Sequence, residues 1–357
     1  MTDEPTYTKQ EQEPAGEEVT EVAPDILRIQ LPVMLPGLGH VNCYVLEDDR
    51  GVAVVDPGLP GPETYDILRT RLASVGVGID DVHTAVVTHS HPDHFGGVYQ
   101  LRDESGCDVL THLEFRTVFD AREASEEPDS AALELATDDE LEELRQRWSR
   151  PTPWGSHTEP PPLDAVKRFI ASGRKGARPF QVPEPSITVV DEQVVELGRR
   201  EWLSVHTPGH TTDHLCLFDP VGGILLSGDH VLPTITPHIS GLIDDDDPLD
   251  TFFRSLLRMH QLDGLSLALP AHGHPFANVA KRADEIIQHH HERLDVIRSA
   301  SDDVGSGNVR DYMQRLFKER SWGGMAESET YAHLEHLRLL GEVGTTVDAE
   351  GQTVYHF

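Results

Sequence analysis

Four short apolar runs in this chain each lead into a residue that can hold a metal ion. "TAVVTH" reaches His89, "WLSVHTPGH" reaches His210, "GILLSGD" reaches Asp229 and "LSLALPAH" reaches His272. Runs this short and this rich in Val, Leu and Ile read as buried strands, because helices of globular proteins are usually longer. Such a chain has few options. Its strands must bring their carboxyl ends to one edge of a sheet system, where α/β proteins commonly place their sites.

The first run delivers the densest cluster. "THSHPDH" sets His89, His91, Asp93 and His94 within six consecutive positions. Pro92 is expected to block a regular helix there and leave these donors on a loop. Neutral imidazole and carboxylate form the borderline donor set that zinc accepts, with iron or manganese as alternatives. Alone, the cluster has too many donors for one tetrahedral ion and too few for two. His210, Asp229 and His272 are the expected complement.

The rest of the chain supports an α/β architecture. "ILRIQLPV", "VNCYVLED", "GVAVVDPG", "CDVLTH", "SITVVDE" and "HLCLFDP" read as further strands, and "PETYDILRTRLASVG" and "GGVYQLRDESG" as helices. The segment from 115 to about 180 changes character. It is charged and helical and then proline-rich, which reads as a helical lid inserted over the core, with Trp148 and Trp154 as candidates either to line it or simply to pack within it. From Asn278 the texture is helical. Val279, Ala283, Ile286, Ile287, His290, Leu294 and Ile297 share one face, and Val309, Tyr312, Met313, Leu316 and Phe317 share another. "ESETYAHLEHLRLLG" forms a third helix, and a hairpin with its turn near Glu350-Gly351 closes the chain. Three helices and a hairpin follow the order of a winged helix. The expected division is a disordered acidic tail at 1–22, a main domain at 23–285 and a winged-helix-like domain at 286–357.

Composition narrows the function classes. Among 357 residues, 62 are acidic and 29 basic, a net charge of −33. Such a balance argues against a nonspecific nucleic-acid surface, which needs basic stripes. No window reaches the length of a membrane span, and the acidic start lacks the pattern of a signal peptide. The expectation is a cytoplasmic protein. Cys43, Cys107 and Cys216 are odd in number and widely spaced, which suits a reducing compartment. Cys43 and Cys216 lie inside apolar runs and read as buried small hydrophobes.

"THSHPDH" resembles the H-x-H-x-D-H signature of the metallo-β-lactamase superfamily, and "PGHTTDH", "SGDH" and "PAHGHP" match its later motifs in order. Asp56 in "VVDPG" matches the strand-end aspartate. The resemblance covers roughly residues 24–280. It implies a four-layer αβ/βα sandwich, here with a small C-terminal winged-helix domain as in some β-lactamase-like hydrolases. It also implies two zinc ions, one bound by His89, His91 and His210, the other by Asp93, His94 and His272, with Asp229 bridging. Asp93 and Asp229 would be the catalytic carboxylates, and a metal-held hydroxide would attack a small-molecule ester or thioester, as in glyoxalase II-like or lactonase-like enzymes. A ribonuclease or phosphodiesterase of the same fold is the alternative, and a noncatalytic binding protein a more distant one. His238 in "TITPHISG" is a candidate substrate contact. His214, His230 and His274 are expected to support the ligands rather than bind metal. "HHH" at 289–291 points around its helix, with His290 a core or interface residue. The appended domain is expected to serve in a homodimer or in closing the pocket rather than in reading DNA.

Overall fold

The structure is a computed structural model that describes residues 9–35, 37–117, 137–147, 149–160, 163, 167 and 182–357. Two sheets carry the main unit. The first has seven strands in sequential order: β1 (Thr20–Ala23), β2 (Ile26–Leu35), β3 (Leu38–Asp48), β4 (Gly51–Val55), β5 (Val82–Val86), β6 (Asp108–His112) and β7 (Ile187–Val189). Strands β1 to β4 form an antiparallel meander, whereas β4 to β7 pair in parallel. The second sheet has the order β12-β11-β10-β9-β8, built from β8 (Val194–Leu197), β9 (Arg200–His206), β10 (Leu215–Asp219), β11 (Ile224–Gly228) and β12 (Leu267–Pro270). Only β11 and β12 pair in parallel in that sheet.

The apolar runs are continuous because both faces of the first sheet are covered. Along β3, Cys43 and Val45 pack against helices Pro62–Ser74 and Val98–Ser105, while Tyr44 and Leu46 face the second sheet. In β4 the same alternation separates Val52 and Val54 from Ala53 and Val55. Trp202 anchors the layer between the sheets, fully buried, its Nε1 donating to the Leu197 carbonyl at 2.9 Å. Helix Pro248–Leu257 is tied to the segment after β9 by the Ser255 hydroxyl, which donates to the Pro208 carbonyl. These layers make the αβ/βα sandwich. Cys43, Cys107 and Cys216 are all free and buried.

The start of the chain departs from expectation. Residues 1–8 lie outside the described residues, but 9–22 are not a tail. Gln10–Gln12 form a 3-10 turn, and the buried Glu11 carboxylate accepts from the amides of Thr234 and Ile235. Hydrogen bonding to a distant loop holds a segment whose composition alone reads as disordered.

The chain divides into two compact units. The first takes the described residues within Met1–Asp120, Phe180–Pro237 and Phe253–Ile286, and the second those within Ala121–Pro179, His238–Phe252 and Ile287–Phe357. The second unit contains helices Asp138–Arg147, Val309–Leu316 and Gly324–Leu339 and most of helix Val279–Val304. It also has a three-stranded sheet with order β13-β15-β14, from β13 (Ser306–Asn308), β14 (Gly344–Val347) and β15 (Thr353–His356). Asn308 and Asp311 cap the helix at Val309 reciprocally, and Gly341, at φ 79°, ends the helix before the hairpin. Among the described residues no helix is long and apolar enough to cross a membrane.

Candidate metal centre

Strand ends position five of the seven expected donors. His89 and His91 follow β5, His210 follows β9, Asp229 follows β11 directly, and His272 lies two residues beyond β12. Pro92 acts differently from expectation: it opens the short helix Pro92–Phe95 rather than blocking it, with His91 as the N-cap residue. Proline's fixed φ and missing N–H suit that first position. Asp93 and His94 therefore project from a helical turn, not a loop. Gly228 sits at φ +49°, and a Cβ there would meet His214 Nε2 at 2.7 Å, so only glycine lets the chain turn into Asp229.

The seven side chains fall into two groups that share Asp229. In the first, His91 Nδ1 lies 2.9 Å from His89 Nε2 and 3.1 Å from His210 Nε2. Asp229 Oδ2 is 3.6 Å from His210 Nε2 and 3.9 Å from His89 Nε2. In the second, Asp93 Oδ2 is 3.7 Å from His94 Nε2 and 3.4 Å from His272 Nε2. Asp229 reaches this group too, Oδ2 at 3.7 Å from His94 Nε2 and Oδ1 at 3.4 Å from His272 Nε2. Donors around a tetrahedral zinc are separated by about 3.3–3.6 Å, as bond lengths near 2.0–2.2 Å require.

Hydrogen bonding does not account for this packing. A ring nitrogen offers either one proton or one in-plane lone pair, so His91 Nδ1 can satisfy one of these two neighbours but not both. His94 Nε2, His272 Nε2 and Asp229 Oδ1 are buried and make no hydrogen bond. Buried polar atoms left this way are costly unless something else engages them. The donor set and spacing fit metal ions.

Charge is distributed unevenly over the cluster. Burial, reinforced by neighbouring rings, pushes His89 well down and His91 to about 3. Burial opposes charge at His94 as well, but Asp93, Asp56 and Asp229 outweigh it and raise this ring to about 9. His272 is raised in the same way by Asp229 and Asp93. Positive charge is thus drawn to the carboxylate-rich side, whether protons or a cation carry it.

Surrounding groups fix the donors' orientation. Asp56 Oδ2 lies 2.9 Å from His94 Nδ1, and Thr88 donates to the same carboxylate from its amide and its hydroxyl. That arrangement assigns the His94 proton to Nδ1 and turns Nε2 inward. His214 accepts the Asp229 amide at Nε2, and His272 Nδ1 is held by the His40 carbonyl. His274 Nε2 is 2.9 Å from Glu13 Oε2, while His230 is fully buried. Sequence reading missed His40 and Asn42. Asn42 Nδ2 donates to the carbonyls of Pro270 and Gly273, which aligns the turn carrying His272. Both act through backbone atoms of distant strands, so no residue pattern announces them.

His238 belongs to the second unit, where its Nδ1 is 3.2 Å from Glu329 Oε2. Trp154 is buried in the same unit, 5.1 Å from the Tyr331 ring, with Nε1 donating to Glu327. The Thr353 amide of β15 donates to its carbonyl. Trp148 lies outside the described residues.

With this geometry in hand, the comparisons are direct. The family description "Metallo-beta-lactamase superfamily" matches residues 36–272. The chain belongs to that superfamily, and it is a metallo-hydrolase of it. A probable metallo-hydrolase of Bacillus subtilis, YqjP, is 26% identical over 93% of this chain and 97% of its own length. An acyl-coenzyme A thioesterase of Bos taurus is 33% identical over 54% of this chain, which spans only 58% of that relative. An atrochrysone carboxyl ACP thioesterase of Aspergillus terreus is 22% identical over 82% of this chain and 65% of its own. Among solved structures, a metallo-beta-lactamase family protein of Thermus thermophilus superposes with a TM-score of 0.69 at 26% identity, covering 94% of this chain and 99% of that one.

Proposed function

We propose that this chain hydrolyses small-molecule esters or thioesters with the help of two zinc ions. His89, His91 and His210 would hold one ion, Asp93, His94 and His272 the other, and Asp229 would serve both. The observation that carries this reading is the position of the Asp229 carboxylate, whose Oδ2 is 3.6 Å from His210 while Oδ1 is 3.4 Å from His272. Ions held there supply Lewis acidity towards a carbonyl oxygen and lower the pKa of a water towards about 7. The protein's own groups supply alignment. Burial disfavours the Asp93 anion, but His94 and His272 outweigh it and hold this carboxyl well below the usual carboxylate range. Asp93 is therefore a permanent acceptor, suited to orienting the attacking water. Asp56 keeps the His94 lone pair facing inward.

The thioester preference is supported by two relatives named as thioesterases. The net charge of −33 disfavours RNA as substrate. We further read 286–357 as a winged-helix-like domain, since helix, strand, two helices and hairpin follow in that order, and 23–285 as the catalytic domain with the 115–180 insertion. Three buried free thiols suit a reducing, cytoplasmic setting.

The test is a panel of acyl-coenzyme A, other thioesters, lactones, phosphodiesters and RNA, offered to purified protein of known metal content. Thioester or lactone turnover that chelation abolishes supports the proposal. Cleavage confined to RNA or phosphodiesters overturns it.

A further inference from the structure

We propose that the second unit carries a zinc site of its own, formed by His290, Glu329 and His333 with His238 beside them. Ring nitrogens of His290 and His333 and a carboxylate oxygen of Glu329 lie within 4.8 Å of one another, and His290 Nδ1 is 3.1 Å from His333 Nε2. That separation is close to the spacing of about 3.3 Å between donors on a tetrahedral zinc. Glu329 and His333 are four residues apart on helix Gly324–Leu339 and so share one face. His290 comes from helix Val279–Val304, where it interrupts a buried stripe of Ile286, Leu294 and Ile297.

Orientation favours a ligand role. His333 Nδ1 is 2.7 Å from the Glu329 carbonyl, which can only accept, so the ring's proton is on Nδ1 and Nε2 bears the lone pair. Arg293 donates to Glu329 Oε1 at 3.3 Å and fixes the carboxylate, leaving Oε2 towards His238 Nδ1 at 3.2 Å. Arg293 is itself drawn over the Phe317 ring, 4.3 Å from its centroid. Both His290 and His333 are fully buried.

Three protein donors would hold the ion, with His238 hydrogen-bonded to the Glu329 carboxylate and the fourth position left to water. The competing arrangement is a hydrogen bond from His290 Nδ1 to His333 Nε2 with no ion. The two differ in a direct measurement. Crystals of the full chain grown with zinc and measured at the zinc absorption edge should show an anomalous peak about 2.0–2.1 Å from nitrogens of both His290 and His333. No peak there, in crystals that do show zinc at Asp229, overturns the proposal. In solution, His333→Gln should lose one zinc per chain relative to wild type and retain hydrolysis of the preferred substrate. Unchanged zinc content in that variant also overturns it, and if the variant does not fold the anomalous map of the wild type decides. The site is independent of the hydrolase reading, so either can fail alone.

Discussion

Asp56 offers a stringent perturbation because its task is narrow. It is 1% exposed, and its carboxylate accepts from the Thr88 amide at 2.9 Å, the Thr88 hydroxyl at 2.8 Å and His94 Nδ1 at 2.9 Å. Asp56 also sits at φ 53°, a left-handed conformation that asparagine tolerates and alanine does not. Asp56→Asn therefore preserves the backbone while removing one acceptor. If its remaining oxygen stays on the Thr88 amide, an NH2 group faces His94 Nδ1, and the imidazole proton is driven to Nε2. The nitrogen turned towards Asp93 and Asp229 then has no lone pair. Loss of such an orienting partner costs about 10–100-fold in metal affinity, equivalent to about 1.4–2.7 kcal/mol. Competitive titration against a metal indicator should show this weakening for one ion per chain, with hydrolysis falling in parallel and far-UV circular dichroism unchanged. Affinities equal within about twofold would show that the Asp56 contact does not orient His94, and the argument for its role would fall. Asp56→Ala should be worse, adding about 1–2 kcal/mol of backbone strain.

Three further perturbations probe other parts of the molecule. Gly228→Ala places a methyl group 2.7 Å from His214 Nε2 at a φ of +49°, and should lower both the melting temperature and the metal content; a variant with wild-type values of both would contradict the turn's role. Asp229→Ala should remove metal from the main cluster and hydrolysis together, so activity surviving without metal would defeat the mechanism. Burial raises the Asp213 carboxyl to about 6, although the Ser90 hydroxyl donates to it. Because the folded value exceeds the unfolded one near 3.8, its contribution to stability is present below about pH 4 and lost as pH rises through about 6. Asp213→Asn, neutral throughout, should match wild type at low pH and exceed it by on the order of 3 kcal/mol near neutrality, read by urea unfolding across the range; equal stability at neutral pH would refute the assignment.

Legibility followed from how each residue acts. Strands β3 to β5 could be read because both faces are buried and the apolar run is unbroken. Strands β1 and β8 could not: Thr20–Ala23 has no buried residue, and Val194–Leu197 has one, so hydrophobicity marks neither. The convergence of His89, His91, Asp93, His94, His210, Asp229 and His272 could be read because several apolar runs each lead into a His or Asp, and the four residues nearest in sequence stay together on one turn. Pro92 was misjudged because a proline that ends one helix can begin another. His290 was legible as an interior residue, but Glu329 and His333 reach it only through the packing of separate helices, which no local pattern encodes.

Strand β12 is outermost in its sheet, yet it leads into His272. A strand at that position is the first to peel when a domain loosens, and among the described residues its ladder beyond β11 is extended only by the isolated bridge between Ala268 and Phe276. Its far end is pinned instead by β3, through the Asn42 side chain and the Tyr44 hydroxyl on the Pro270 carbonyl. An ion held by His272 and Asp229, as proposed above, would act as a rivet across that seam, joining the rim strand to β11. Stripping the ion should accordingly be felt first as faster amide exchange along Leu267–Pro270, well before the rest of the sandwich gives way.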